Sequence, residues 1–173
     1  RPPRSTLFPY TTLFRSDKEI LGLAFSPDGN SLASGGLDTN INIWETTHFQ
    51  QTKTLSMQDN YVTDIAFSSD GQNIAASSLD HKVRIWNVAT GQILHELEYP
   101  GQVLAITFSL DGKIVAGGGV GESIFLWDVD TGVQIGELYL GPSYITSLAY
   151  SPDGLVLASV NAGEVWLWNE NKP

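Results

Sequence analysis

Three stretches of the sequence carry residue types able to do chemistry. The run Gly117-Gly118-Gly119-Val120-Gly121-Glu122-Ser123 resembles a loop that cradles a phosphate with backbone N–H groups. It lacks the lysine of such a loop, and no helix follows to point an N-terminal dipole at an anion. Asp128-x-Asp130-x-Gly132 has the opening spacing of a calcium loop, but the remaining carboxylates are missing. The same two aspartates could serve a hydrolase as acid and base, yet nothing in the sequence sets them apart for those roles. His48, His81 and His95 show neither i, i+4 nor paired spacing, and they read as surface residues. There is no cysteine, which excludes thiolate metal sites, disulfides and cysteine nucleophiles. There is no G-x-S-x-G elbow either. The residues point to a non-enzyme, with no cofactor and no metal.

What must position these residues is a repeat. A Ser-x-Asp-Gly turn recurs at 26–29, 68–71, 109–112 and 151–154, each time after an aromatic: Phe25, Phe67, Phe108 and Tyr150. A tryptophan closes each unit, at Trp44, Trp86, Trp127 and Trp168. Two markers held in register through four copies at spacings of about 42 residues define a supersecondary unit. Within the second unit, alternation and turn residues give four short strands, near 62–68, 73–77, 82–87 and 92–98. The Asp-Gly pair turns the first hairpin, and Thr90-Gly91 turns the last. Such a small antiparallel meander cannot bury both faces alone. Stacking units side by side does so, which is the logic of a β-propeller.

These units resemble WD40 repeats. The resemblance rests on the aromatic-Ser-x-Asp-Gly turn, on Leu32-Ala33-Ser34-Gly35-Gly36, and on Asp38 and Asp80 six residues before tryptophan. Ile43-Trp44, Ile85-Trp86 and the Thr-Gly turns at 90–91 and 131–132 complete it. It implies an all-β propeller segment of four blades, at about 17–56, 57–98, 99–140 and 141–173, each of four antiparallel strands. The last blade stops after its third strand, so the chain is expected to be the C-terminal part of a seven-bladed ring. The pattern also departs from the family. The histidine that joins Ser, Asp and Trp in a buried network is replaced by Ser16, Gln58, Tyr99 and Gly141. The aspartate gives way to Gly121 in the third copy and to Asn161-Ala162 in the fourth. Apolar packing is therefore expected to carry these blades more than polar networks do, with Asp38 and Asp80 tightening their turns. Trp166 is expected to pack beneath a closing strand.

Residues 1–16, RPPRSTLFPYTTLFRS, resemble one reading frame of a sequencing adapter and read as non-native. The whole chain has a net charge of −10. Without Arg1, Arg4 and Arg15, six basic residues face nineteen acidic ones, a net charge of −13. That excess argues against nucleic acid and favours basic partners. No transmembrane segment is read, and the compartment is left open.

A propeller acts through its faces. The loops from outer to next inner strand offer Asn60, Tyr61, Gln102, Ser143 and Tyr144. The loops from second to third strand offer Leu37, Leu79, Val120 and Asn161 on the same rim. Tyrosines and isolated aliphatics on a rigid rim are typical anchors of interfaces. The expected site is thus Tyr61, Tyr144, Leu37, Leu79, Gln102 and Asn161, docking a protein or peptide. The alternative is a regulatory module of a larger signalling protein with a kinase or NTPase domain. An open arc of blades is also expected to self-associate.

Overall fold

The computed structural model describes residues 18–57 and 60–169, so the adapter-like segment and Gln58 lie outside the described residues. Strands are the only regular elements among them. The first unit is β1 (Ile20–Phe25), β2 (Ser31–Gly36), β3 (Asn40–Glu45) and β4 (Gln51–Ser56). The second is β5 (Val62–Phe67), β6 (Asn73–Ser78), β7 (Lys82–Asn87) and β8 (Ile93–Glu98). Then come β9 (Val103–Phe108), β10 (Ile114–Asp128), β11 (Gln134–Tyr150), β12 (Val156–Asn161) and β13 (Glu164–Asn169). The first two units are antiparallel sheets in the orders β1-β2-β3-β4 and β5-β6-β7-β8.

The third and fourth units differ from the expectation of separate sheets, because they share one of five strands, β13-β12-β11-β10-β9. The cause is local. Val120 pairs with Tyr144 and Gly121 with Ser143, so two loops join as a ladder and β10 and β11 each run through them. The part of β11 that pairs with β12 begins at Ile145. Among the described residues the fourth unit therefore has three strands, matching the expected last blade.

The cores lie between units. Ile41, Ile43, Met57, Ile74 and Trp86 form one cluster across the first two units. Val83, Ile85, Tyr99, Val115 and Trp127 form the next. Ala116, Ile124, Ile145 and Leu157 form the third, with Trp168 against it. Both faces of β7 are covered in this way, which is why Val83, Arg84, Ile85 and Trp86 are all buried despite their alternation. The first strands of successive units pack on one another, β1 on β5 and β5 on β9. Two polar bonds tie the second pair. Thr63 Oγ1 donates to Val103 O at 2.6 Å, and Ile106 N–H donates to Asp64 Oδ2 at 3.0 Å. Burial pushes the Asp64 carboxyl up, against the pull of the Ile106 and Ile65 N–H groups.

The four Ser-x-Asp-Gly turns are one structure repeated. In the second, Ser68 Oγ donates to Asp70 Oδ1 at 2.6 Å and accepts Asn73 N–H at 2.9 Å. Gly71 takes a φ of 70°, which favours glycine. The same serine–aspartate bond recurs at Ser26, Ser109 and Ser151. In each, the serine hydroxyl first and backbone N–H groups second hold the aspartate below its ordinary pKa. A carboxylate lowered on folding adds stability above its unfolded pKa, and that stability is lost as pH falls through the folded value. Ser68 is itself buried. Ser68→Ala is expected to cost about 1–2 kcal/mol at pH 7, since it orphans the Asn73 N–H and frees Asp70. The gap to the wild type should narrow at pH 3, where Asp70 is protonated in the unfolded chain. Urea midpoints at the two pH values check this, and a gap that widens at pH 3 would refute it.

Candidate rim for partner docking

Strand order places the Ser-x-Asp-Gly turns at one end of the strands and the two loop sets named above at the other. Backbone bonds join the two sets. Leu37 N–H donates to Glu19 O at 2.9 Å, and Val120 N–H donates to Gln102 O at 2.8 Å. Glu19, Tyr61, Gln102 and Tyr144 occupy the same step, six residues before the turn aromatic. The structure thus brings Gln102, Val120 and Tyr144 together through the Val120–Tyr144 pair.

Tyr61 is 43% exposed, Tyr144 60% exposed, and Gln102 is exposed. Leu37 and Leu79 are half-buried, so each offers an edge rather than a whole side chain. Asn161 differs from the expectation. It is 4% exposed, paired with Ile145 and Glu164 inside the last sheet, and presents no side-chain surface to a partner. A groove of about 410 Å³ runs beside Tyr144, lined by Val120, Glu122, Pro142, Ser143 and Ala162. On the other side of 120–122 lies a second groove of about 300 Å³, lined by Pro100, Glu122, Phe125, Glu137 and Tyr139. Sequence reasoning missed Pro142, Glu137 and Tyr139, because the grooves form where loops of successive units meet. The available signal was that Glu137 and Tyr139 alternate on one face of an outer strand.

The residues with apparent chemistry serve the fold. Gly117, Gly118 and Gly119 are close-packing positions: a Cβ would meet Trp127, Ile145 and the Gln102 carbonyl respectively. Asp128 accepts Thr131 N–H at 2.8 Å and Thr131 Oγ1–H at 2.7 Å, which holds its carboxyl below the ordinary range and closes the hairpin. His48 meets Glu45 at 3.0 Å, and His95 Nε2 lies 3.1 Å from Asp130 O. Among the described residues no cluster of His, Asp and Glu is arranged to hold a metal ion.

Several of the structural residues of the repeat carry polar bonds. Trp44 Nε1 donates to Ser34 Oγ and Trp168 Nε1 to Ser159 Oγ, each at 3.0 Å. Asp80 caps Lys82 N–H and holds Arg84 at 2.7 Å. Next to Asp38, the Asn40 side chain donates to the Asp38 carbonyl at 3.0 Å. Trp127 is buried between units, and Gly117 stands where the first and fourth units have Ser34 and Ser159. Tyr99, standing where the family has histidine, donates to Ser123 O at 2.8 Å. A Cβ on Gly121 would lie 2.6 Å from the Tyr99 hydroxyl, so the loss of aspartate there makes room for tyrosine. Trp166 is 40% exposed and stacks on Trp168 with centroids 6.0 Å apart.

Comparison with known proteins agrees with this architecture. The family model described as WD domain, G-beta repeat matches residues 8–45, 49–87, 91–128 and 132–169. Its first match begins within the adapter-like segment. Protein hir-1 of Neurospora crassa is 38% identical over 56 residues, which cover 32% of this chain and 5% of that protein.

Proposed function

The chain belongs to the WD40 repeat family, and from that premise we propose that it is a non-catalytic scaffold that docks a protein or peptide on its loop rim. Repeats of this family are protein-interaction scaffolds as a class. The finer reading, which surface docks and what it prefers, rests on one observation. Tyr61 and Tyr144 stand exposed at the same step of two units, and Tyr144, its backbone pinned by pairing with Val120, borders a groove. A rigid tyrosine brings large contact area at a small cost in side-chain entropy, as interface anchors require. Gln102, Leu37 and Leu79 supply the surroundings. The net charge of −10 biases the rim towards basic partners.

The test is the double substitution Tyr61→Ala, Tyr144→Ala in the full chain. Partners enriched from an extract by the wild type should lose at least about thirty-fold in affinity, about 2 kcal/mol for a pair of anchors. Gln92→Ala, on the opposite rim, should capture them as the wild type does. Equal capture by the double variant and the wild type would remove the tyrosines from the site.

A further inference from the structure

The second and third units differ in one cleft, and the difference names a ligand. In the second unit, β7 and β8 place Arg84 opposite Glu96. The guanidinium is 4% exposed, 2.7 Å from Asp80 and 3.1 Å from Glu96. In the third unit the same register places Phe125 opposite Glu137, with Gly121 where the second has Asp80. The carboxylate is kept and its internal cation is gone. Among the described residues neither Glu137 nor Glu122 forms an ion pair. What remains is the open groove between Pro100, Glu122, Phe125, Glu137 and Tyr139.

We infer that this groove receives an arginine side chain from the docked peptide. This deepens the docking proposal above and rests on it. Glu137 spends Oε1 on the Ser123 hydroxyl at 2.6 Å, which leaves Oε2 for another donor. Glu122 is exposed beside it. Phe125 is braced by Tyr99 at 5.2 Å and Trp127 at 5.9 Å and forms an apolar floor for the methylene stem. Tyr139 is 64% exposed and offers a ring face. Planar guanidinium stacks on such a ring and bonds two carboxylates, whereas an ammonium acts as a point charge. The Tyr144 groove shares Val120, Gly121 and Glu122 with this one, so an extended peptide spans both.

The probe is the peptide acetyl-Gly-Arg-Gly-Leu-amide, titrated against the full chain with amide shifts followed by NMR. Its partner probe carries citrulline in place of arginine, which keeps the shape and removes the charge. Saturable shifts should appear at Glu122, Glu137 and Tyr139, and citrulline should weaken binding about ten-fold or more. Glu137→Gln and Tyr139→Ala alter exposed side chains and should weaken the arginine peptide several-fold with no change in thermal midpoint. Equal binding of the arginine and citrulline peptides overturns the inference. So does unchanged binding by both variants, or the absence of saturable shifts. Shifts confined to Tyr61 and Tyr144 overturn the arginine cleft but keep the docking rim, whereas failure of the tyrosine double variant removes the rim itself.

Discussion

Replacing Trp86 with alanine is expected to cost about 3–5 kcal/mol, the usual range for deleting a fully buried tryptophan. Trp86 is 1% exposed and sits among Ile41, Ile43, Met57 and Ile74, at the joint between the first two units. The cavity would open inside a core assembled from both units, which would have to shift together to fill it. A domain of this size is held by only about 5–15 kcal/mol in total. One residue thus carries a large part of the margin. The same change at Trp168 should cost clearly less, because that ring is only half-buried, at the margin of its cluster. Urea unfolding followed by far-ultraviolet circular dichroism avoids the loss of the fluorescent probe. Equal midpoint shifts for the two variants would show that stability does not reside in the joints between units.

The regular part of this fold was legible because its signals are local. Ser68, Asp70 and Gly71 make their turn with bonds across at most five residues, so the motif alone carries the geometry. Tryptophan spacing gave the units, and the turns gave the strand ends. The zipped loops were not legible, since Val120 and Tyr144 are distant in sequence and belong to different units. The same reason hid the two grooves. Counted back from its tryptophan, Asn161 stands where Leu37 and Leu79 do, but the fourth repeat is one residue shorter there, and the strand register sets Asn161 with Gly36 and Ser78 at the end of a second strand. Alternation sets Arg84 with Trp86 on the face of β7 opposite Val83 and Ile85, and does not reveal that this face is covered. The structure buries Arg84, because neighbouring units cover both faces of β7.

Asp80→Ala is expected to cost about 3 kcal/mol, at the low end for removing one partner of a buried ion pair. Arg84 would keep its place at 4% exposure with only the more exposed Glu96 to balance it. Burial pulls the guanidinium pKa down, and the bonds to Asp80 and Glu96 more than offset this, so it stays charged. A guanidinium keeps its proton in proteins, so relief by deprotonation is closed to the single variant as well. The pair as a whole need not stabilise the fold. Arg84 Nη1 is buried with no hydrogen-bond partner among the described residues, so part of its desolvation cost is uncompensated. The third unit shows the alternative within the same chain: Phe125 replaces the arginine and Gly121 the aspartate, and Phe125 packs on Tyr99 and Trp127. Asp80→Ala with Arg84→Met should accordingly recover most of the loss, short of about 1 kcal/mol for the Lys82 N–H that Asp80 caps. A double-mutant cycle on unfolding free energies checks this. A double variant as unstable as the two single losses added together would mean that the ions act independently. The network would then be a stabilising element in its own right, rather than a buried charge held in check by its neighbours.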